Sequence, residues 1–486
     1  MFDTYVIQRE ASGVEGNIVV DTIWHPSIEG RPGPKYSAVA EVIRAAIADG
    51  TLVVGAKLPP VRDLAWRLSI TPGTVARAYT ILTDEGALEA TVGRGTFVAP
   101  PKAALLDDVW SRQAPVPEDA ETGPVNLVSP HLADMGQVAH LRRATAQVAQ
   151  ADARIFMHYP TRTDYGPVRA AVANWLSDLP LGALEQDDII LANGGQNAIC
   201  LVMQAVLTGA RPAVLMEDIS YAGFRRAAEL MRADVTGVAM DASGMRPDAL
   251  AAAAKSGNAQ LICLTPEVQN PTGSFMPLER RREILAIAER HDLQILEDDC
   301  YRMGAARAPS FRSLAPARTW HVSSISKTLT PALRVGFALA PEGRRADLRR
   351  AAEYGFFGLS QPLAELTRIV LSDPATKDIA RAIRQRMAEY VRVAVNVLGR
   401  FDINWDAEVP FLWLTLPAGW RSAAFCRAAE AQGVQIRSAD EFCLRDGRAP
   451  HAVRLAVNGQ VSLAAFEAAM QRLGGLLDNP PEQISV

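Results

Sequence analysis

From Asn126 to the C-terminal end, short apolar runs alternate with amphipathic helical stretches, and this alternation constrains the fold more than any other feature. The runs are Ile189–Leu191, Ala213–Met216, Gln260–Leu264, Gln294–Glu297 and Trp320–Ser323. Helices between such strands cover the two faces, which predicts an α/β domain with a mostly parallel sheet and a smaller C-terminal subdomain. The longest apolar stretch, Ala198–Leu207, is too short to span a bilayer and contains Gln204, so no membrane partner is expected.

The chain has 486 residues, at ~150 residues per domain enough for more than this one unit. Apolar residues at 49% and charged residues at 21% exclude wholesale disorder, and the net charge of −4 does not announce a nucleic-acid partner. The five cysteines, an odd number without a CxxC pair, argue against a disulfide framework or a Cys-rich zinc site. A reduced, cytoplasmic setting fits, and MFDTYVIQRE has none of the features of a signal peptide. Composition divides the chain into an irregular arm (1–34), a compact block (35–98), a Pro-containing linker (99–125) and the α/β domain (126–486).

The block at 35–98 reads as three helices and a hairpin. Tyr36–Asp49 presents Val39, Ile43, Ala46 and Ile47 on one face; Arg62–Leu68 is short; Thr74–Glu85 follows a turn at Ser69–Thr71, with Thr71 placed to cap it ahead of Pro72. Leu88–Thr91 and Thr96–Val98 are strands joined by the tip Val92–Gly95. Helix, turn, helix and hairpin make a winged helix-turn-helix, whose second helix fits the major groove. Arg62, Thr74 and Arg77 lie where base or phosphate contacts come from, and Arg94 with Gly95 at the wing suits the minor groove. Eight basic residues against six acidic ones over 31–98 leave a net of only +2, so charge alone is a weak argument. Winged helices also mediate protein contacts. The stretch LPPVRDLAWRLSITPGTVARAYTILTDEGALEATVGRGTFV resembles the DNA-binding domain of GntR-type bacterial repressors, which implies operator DNA as partner; it departs from them at Pro72-Gly73.

In the α/β region several motifs follow a fixed order. Asn193-Gly194-Gly195-Gln196 comes after a strand and opens a helix, which is either an anion cradle or an ordinary turn. Tyr221 follows the next strand, as a core residue or as cover for a planar ring. Asn270-Pro271-Thr272-Gly273 follows another, where Pro and Gly suit a turn and Asn can donate to an aromatic oxygen. Asp298 and Asp299 precede Tyr301; paired acids can also cap a helix or hold a metal, but no histidine or further acid lies at ligand spacing, so no metal is expected. Lys327 sits among Ser323, Ser324 and Ser326, with Arg334 seven residues on. Arg454, between Val453 and Leu455, is either ion-paired or aimed at an anion.

Together these residues meet the requirements of pyridoxal 5'-phosphate. Lys327 supplies the amine for an imine, and Asp298 an acid for the ring nitrogen. Tyr301 and Asn270 serve the phenolic oxygen, and Tyr221 stacks on the ring. Gly194, Gly195, Gln196, Ser324 and Arg334 hold the phosphate. Arg454 offers a two-point contact to the carboxylate of an effector. The ordered set resembles the fold-type I aminotransferases of class I/II. That resemblance implies a dimer in which a neighbour's tyrosine touches the phosphate, and Tyr159 matches that position; Asp164 stands where the family usually has Gly.

With the winged helix in front, the chain resembles the MocR/GabR group of bacterial regulators. The resemblance implies a head-to-tail homodimer that binds operator DNA. An amino acid or amine effector would exchange with Lys327 at its aldimine and so change the grip on DNA. The intact Asn270 and Asp298/Tyr301 elements keep open the alternative of a working aminotransferase with an accessory winged helix.

Overall fold

A computed structural model describes residues 24, 26–28, 34–84, 87–91, 95–99, 123–255, 257–444 and 447–480. They fall into two compact units, divided between Pro117 and Glu118. Most of the expected arm and of the expected linker, with Arg94, Gly93 and Gly86, lie outside the described residues.

In the first unit, α1 (Lys35–Ala48), α2 (Val61–Arg67) and α3 (Pro72–Asp84) precede strands β1 (Leu88–Thr91) and β2 (Gly95–Val98). The core joins Val39 and Ile43 of α1, Leu64 of α2, Val75 and Leu82 of α3, and Leu88 and Val98 of the hairpin. These are the positions that 3.6-residue periodicity places on one face of each helix. Helix α3 begins two residues earlier than expected, because Pro72 needs no backbone donor in the first turn. Residues 55–58 add a third rung to the hairpin: Leu58 N donates to Thr96 O and Val98 N to Ala56 O. Gly95 is required there. Its φ is 120°, and a Cβ would lie 2.9 Å from Lys57 Cε.

The second unit is built on a seven-stranded sheet. Its strands are β3 (Ile189–Ala192), β4 (Ala213–Glu217), β5 (Asp234–Val238), β6 (Ala259–Leu264), β7 (Gln294–Asp298), β8 (Thr319–Ser324) and β9 (Gly336–Leu339). The spatial order is β3-β9-β8-β7-β6-β4-β5, and only β9 runs against the rest. All five expected strands are present, each one residue longer at one or both ends. Because the parallel strands share a direction, their carboxyl ends form one rim, where ligands of open α/β sheets bind.

A smaller antiparallel sheet follows: β10 (Ile403–Asn404), β11 (Phe411–Thr415), β12 (Arg437–Ser438) and β13 (Ala452–Ala456), in the order β10-β11-β13-β12. Leu412, Leu414, Val453 and Leu455 face a core shared with residues of two long helices, Ala375–Leu398 and Leu463–Asp478. The alternation of β-strands puts Phe411, Trp413, Arg437 and Arg454 on the other face. Val125–Asn126 pairs in parallel with Val434–Gln435 as a separate two-stranded sheet, so the residue expected to end the linker is already a strand residue of this unit.

Candidate cofactor site and DNA-binding surface

The residues expected to cradle a phosphate lie together at the rim. Helix α4 (Gly195–Val206) starts directly after β3, with Gly194 at its N-cap. Its first backbone N–H groups have no partner within the helix and attract an anion. Gly194 has φ 84°, and a Cβ there would stand 2.9 Å from Arg334 Nη2, so the guanidinium lies against this turn. A Cβ at Gly195 would meet Cys300 Sγ at 2.6 Å and Ser324 Oγ at 3.9 Å. The backbone of this turn is thus hemmed in by Arg334, Cys300 and Ser324, and only glycine fits. Gln196 Nε2 donates to Gly223 O at 2.9 Å, and the Tyr221 ring folds over the same glycine.

Asp298 ends β7, and Tyr301 follows three residues later. Burial pushes the Asp298 carboxyl up to about 6, against the pull of hydrogen bonds from Cys300, whose N–H donates at 3.0 Å. Burial also raises the Tyr221 hydroxyl, and the nearby Asp298 and Tyr301 add to the effect. Burial alone would raise Tyr301 as well. The charges of Lys327, Arg454 and Arg437 outweigh it and leave that hydroxyl below the ordinary tyrosine range. Lys327 Nζ lies 5.4 Å from the centre of the Tyr301 ring and makes no hydrogen bond or ion pair with a described residue. Asn270 is buried, and its Oδ1 accepts from Arg454 Nη1 at 2.6 Å, which leaves its amide NH2 as the group free to donate to a ligand.

The neighbouring acids are used elsewhere. Glu297 accepts from the backbone of Phe311 and Arg312 and sits 3.1 Å from His321 Nδ1. Asp299 takes Arg302 Nε at 2.7 Å. Capping therefore explains Glu297 and ion pairing explains Asp299, while Asp298 is paired with no cation among the described residues. Nor does any cluster of His, Cys, Asp or Glu among the described residues suit a metal ion.

Arg454 is 2% exposed. No described carboxylate pairs with it; it donates to Asn270 and, at 2.8 Å, to Val128 O, while its Nε–H has no described partner. Tyr159 is not brought to this group. It is 84% exposed, beside Phe357, at a ring separation of 6.2 Å. Asp164, the departure from the family pattern, accepts from Thr161 N at 2.6 Å and Gln361 Nε2 at 2.9 Å and so fixes the loop after Tyr159.

Two residues near the site escaped the sequence reading. His131, whose backbone is held between Val457 and Gly459, is lowered by burial and by the charge of Lys327. Arg437 lies beside Arg454 on the adjacent strand. Neither stands in a motif; only strand pairing brings them in.

In the first unit, Arg62 and Arg77 are exposed, and the Arg77 guanidinium lies 4.1 Å from the centre of the Tyr36 ring. Thr74 is half-buried, its Oγ1 2.9 Å from Thr71 Oγ1.

The fold and rim geometry define an aminotransferase-like protein with a winged helix ahead of it. Residues 125–473 match the family "Aminotransferase class I and II", and residues 35–98 match "Bacterial regulatory proteins, gntR family". The chain belongs to the class I and II aminotransferase family and carries a gntR-family domain in front, the architecture of MocR-type regulators. It is 30% identical to an uncharacterized HTH-type transcriptional regulator, YdeF, of Bacillus subtilis (strain 168), over 94% of this chain and 97% of the relative. It is 26% identical to the probable rhizopine catabolism regulatory protein MocR of Rhizobium meliloti, over 83% of this chain and 86% of the relative. Among solved structures, the α-aminoadipate aminotransferase LysN of Thermus thermophilus superposes with a TM-score of 0.65 at 23% identity, over 78% of this chain and 98% of that one.

Proposed function

We propose that this chain is a transcriptional regulator that binds operator DNA through its winged helix and senses an amino acid or amine through pyridoxal 5'-phosphate held at Lys327. The observation that carries the reading is the rim itself. A lysine with no ion pair among the described residues, a buried carboxyl, a tyrosine and a glycine cradle with its arginine meet at one place, in a chain that begins with a DNA-binding fold. When bound, the cofactor supplies an aldehyde carbon that primary amines attack and a ring that accepts electrons. Lys327 is the covalent anchor. Asp298 would serve the ring nitrogen, Tyr301 and Asn270 would donate to the phenolic oxygen, and Tyr221 would cover the ring. The N-terminus of α4 binds the phosphate with Gly194, Gly195, Gln196, Ser324 and Arg334. Arg454 binds the carboxylate of the effector. Operator contacts come from Arg62, Thr74, Arg77, Arg94 and Gly95, which places the protein's work in the cytoplasm.

The working unit is a head-to-tail homodimer in which Tyr159 serves the partner's site. Its exposure, together with that of Phe357 (78%) and Met157 (76%), leaves an apolar surface that a second copy would cover. The completeness of the Asn270, Asp298 and Tyr301 set supports a second reading, catalysis of transamination. Sustained turnover with a keto acid separates the two readings.

Borohydride reduction of cofactor-loaded protein followed by peptide mapping should place the adduct on Lys327. Lys327→Ala should lose that adduct and keep its fold. An adduct on another lysine refutes the assignment.

A further inference from the structure

Two arginines stand side by side in the small sheet. Arg437 on β12 and Arg454 on β13 are register partners of an antiparallel pair, so their side chains share one face. That face is the one that meets Asn270 and, through Phe411, the Tyr301 ring at 5.2 Å. Like charges directly opposite one another are unfavourable in a sheet. Among the described residues this pair of cations has one carboxylate between them: Glu441 Oε2 forms an ion pair with Arg437 at 3.6 Å, longer than a hydrogen bond and on a side chain 44% exposed to water, and its charge also reaches Arg454. Both arginines keep a buried Nε–H without a described acceptor. Phe411 and Phe442 flank the Arg454 guanidinium at 5.3 and 4.9 Å from their ring centres, and rings accept no strong hydrogen bond. Lys327 adds a third positive charge at the same cleft, and the Tyr301 hydroxyl is lowered by all three. One ligand carboxylate on Arg454 leaves Arg437 with only the partly exposed Glu441 and with its Nε–H still without a described acceptor.

We infer that Arg437 is a second anion anchor, and that the effector is an amino compound bearing two anionic groups, one for Arg454 and one for Arg437. This rests on the proposed binding of the effector at Lys327. Neighbouring strands hold paired Cα atoms about 5 Å apart, which suits two acid groups on one short carbon chain.

The test is a titration of the cofactor absorbance of the full-length holoprotein with L-aspartate, L-glutamate and L-2-aminoadipate, each against its side-chain amide. The amides keep the amine, the first carboxylate and the shape, and lose only the second charge. At least one acid should bind about ten-fold or more tighter than its amide. In Arg437→Gln that ratio should collapse to near one, with the absorbance of the bound cofactor reporting an intact site. In Arg437→Lys, which keeps the charge, part of the preference should remain. Absorbance shifts of equal affinity for every acid and its amide overturn the role of Arg437 and leave the sensing of amines standing. If no amino compound shifts the absorbance, both fall.

Discussion

Asp298 shows how a buried carboxyl is held ready for a partner it does not find among the described residues. Its folded value of about 6 lies above the 3.8 of an ordinary aspartate. Below about pH 3 both folded and unfolded chains are protonated, and the residue contributes nothing. Between pH 4 and 6 the unfolded chain releases its proton first, so stability falls as pH rises. Above pH 6 the full destabilisation is present, about 3 kcal/mol for a shift of this size. Cofactor-free Asp298→Asn should therefore be more stable than wild type at pH 7.5 by up to about 3 kcal/mol, and equal to it near about pH 3. Urea unfolding of both proteins at the two pH values measures this; a difference that does not change with pH contradicts it. Asp298 could be singled out from the sequence because strand end, acid and tyrosine are local. Arg437 could not, since nothing in its own segment distinguishes it from a solvated charge. It acquires meaning only when β12 is laid against β13.

At the scale of elements, the turn into α4 and the winged helix carry the two halves of the account. Gly194→Ala places a Cβ against Arg334 at φ 84° and ψ 170°, a backbone region essentially reserved for glycine, a strain of about 1–3 kcal/mol. The variant should fold, with a lower melting temperature and weaker cofactor binding by equilibrium dialysis; unchanged binding would remove this turn from the phosphate site. In the winged helix, Arg62→Ala or Arg77→Ala should cost roughly 1–3 kcal/mol of operator affinity where the residue reads a base. Arg77 must leave the Tyr36 ring to do so. If neither substitution changes DNA binding by anisotropy, α3 is not used as a reading helix. These elements were legible because their periodicity and punctuation are strong: apolar runs mark five of the large-sheet strands, and Pro72 marks the start of α3. The strand at Val125–Asn126 was not legible. Two residues directly after Pro124 are too few to carry a pattern, and their pairing with Val434–Gln435 joins segments far apart in the chain.

For the whole molecule, the claim is that one equilibrium links the rim of the large sheet to the winged helix. Each unit has its own core, so each can fold while the other responds. The chain between them leads directly into the strand at Val125–Asn126, just ahead of Val128, whose carbonyl accepts from Arg454. Linkage requires that an effector bound at Lys327 change DNA affinity, typically by about 5–150-fold. The most direct measurement is the affinity of full-length holoprotein for DNA that it selects from a random pool, with and without an amino compound that shifts the cofactor absorbance, in wild type and Lys327→Ala. A shift of at least about five-fold is expected in wild type and none in the variant, which keeps its basal DNA binding. The same shift in Lys327→Ala, or no shift in wild type, would contradict this linkage.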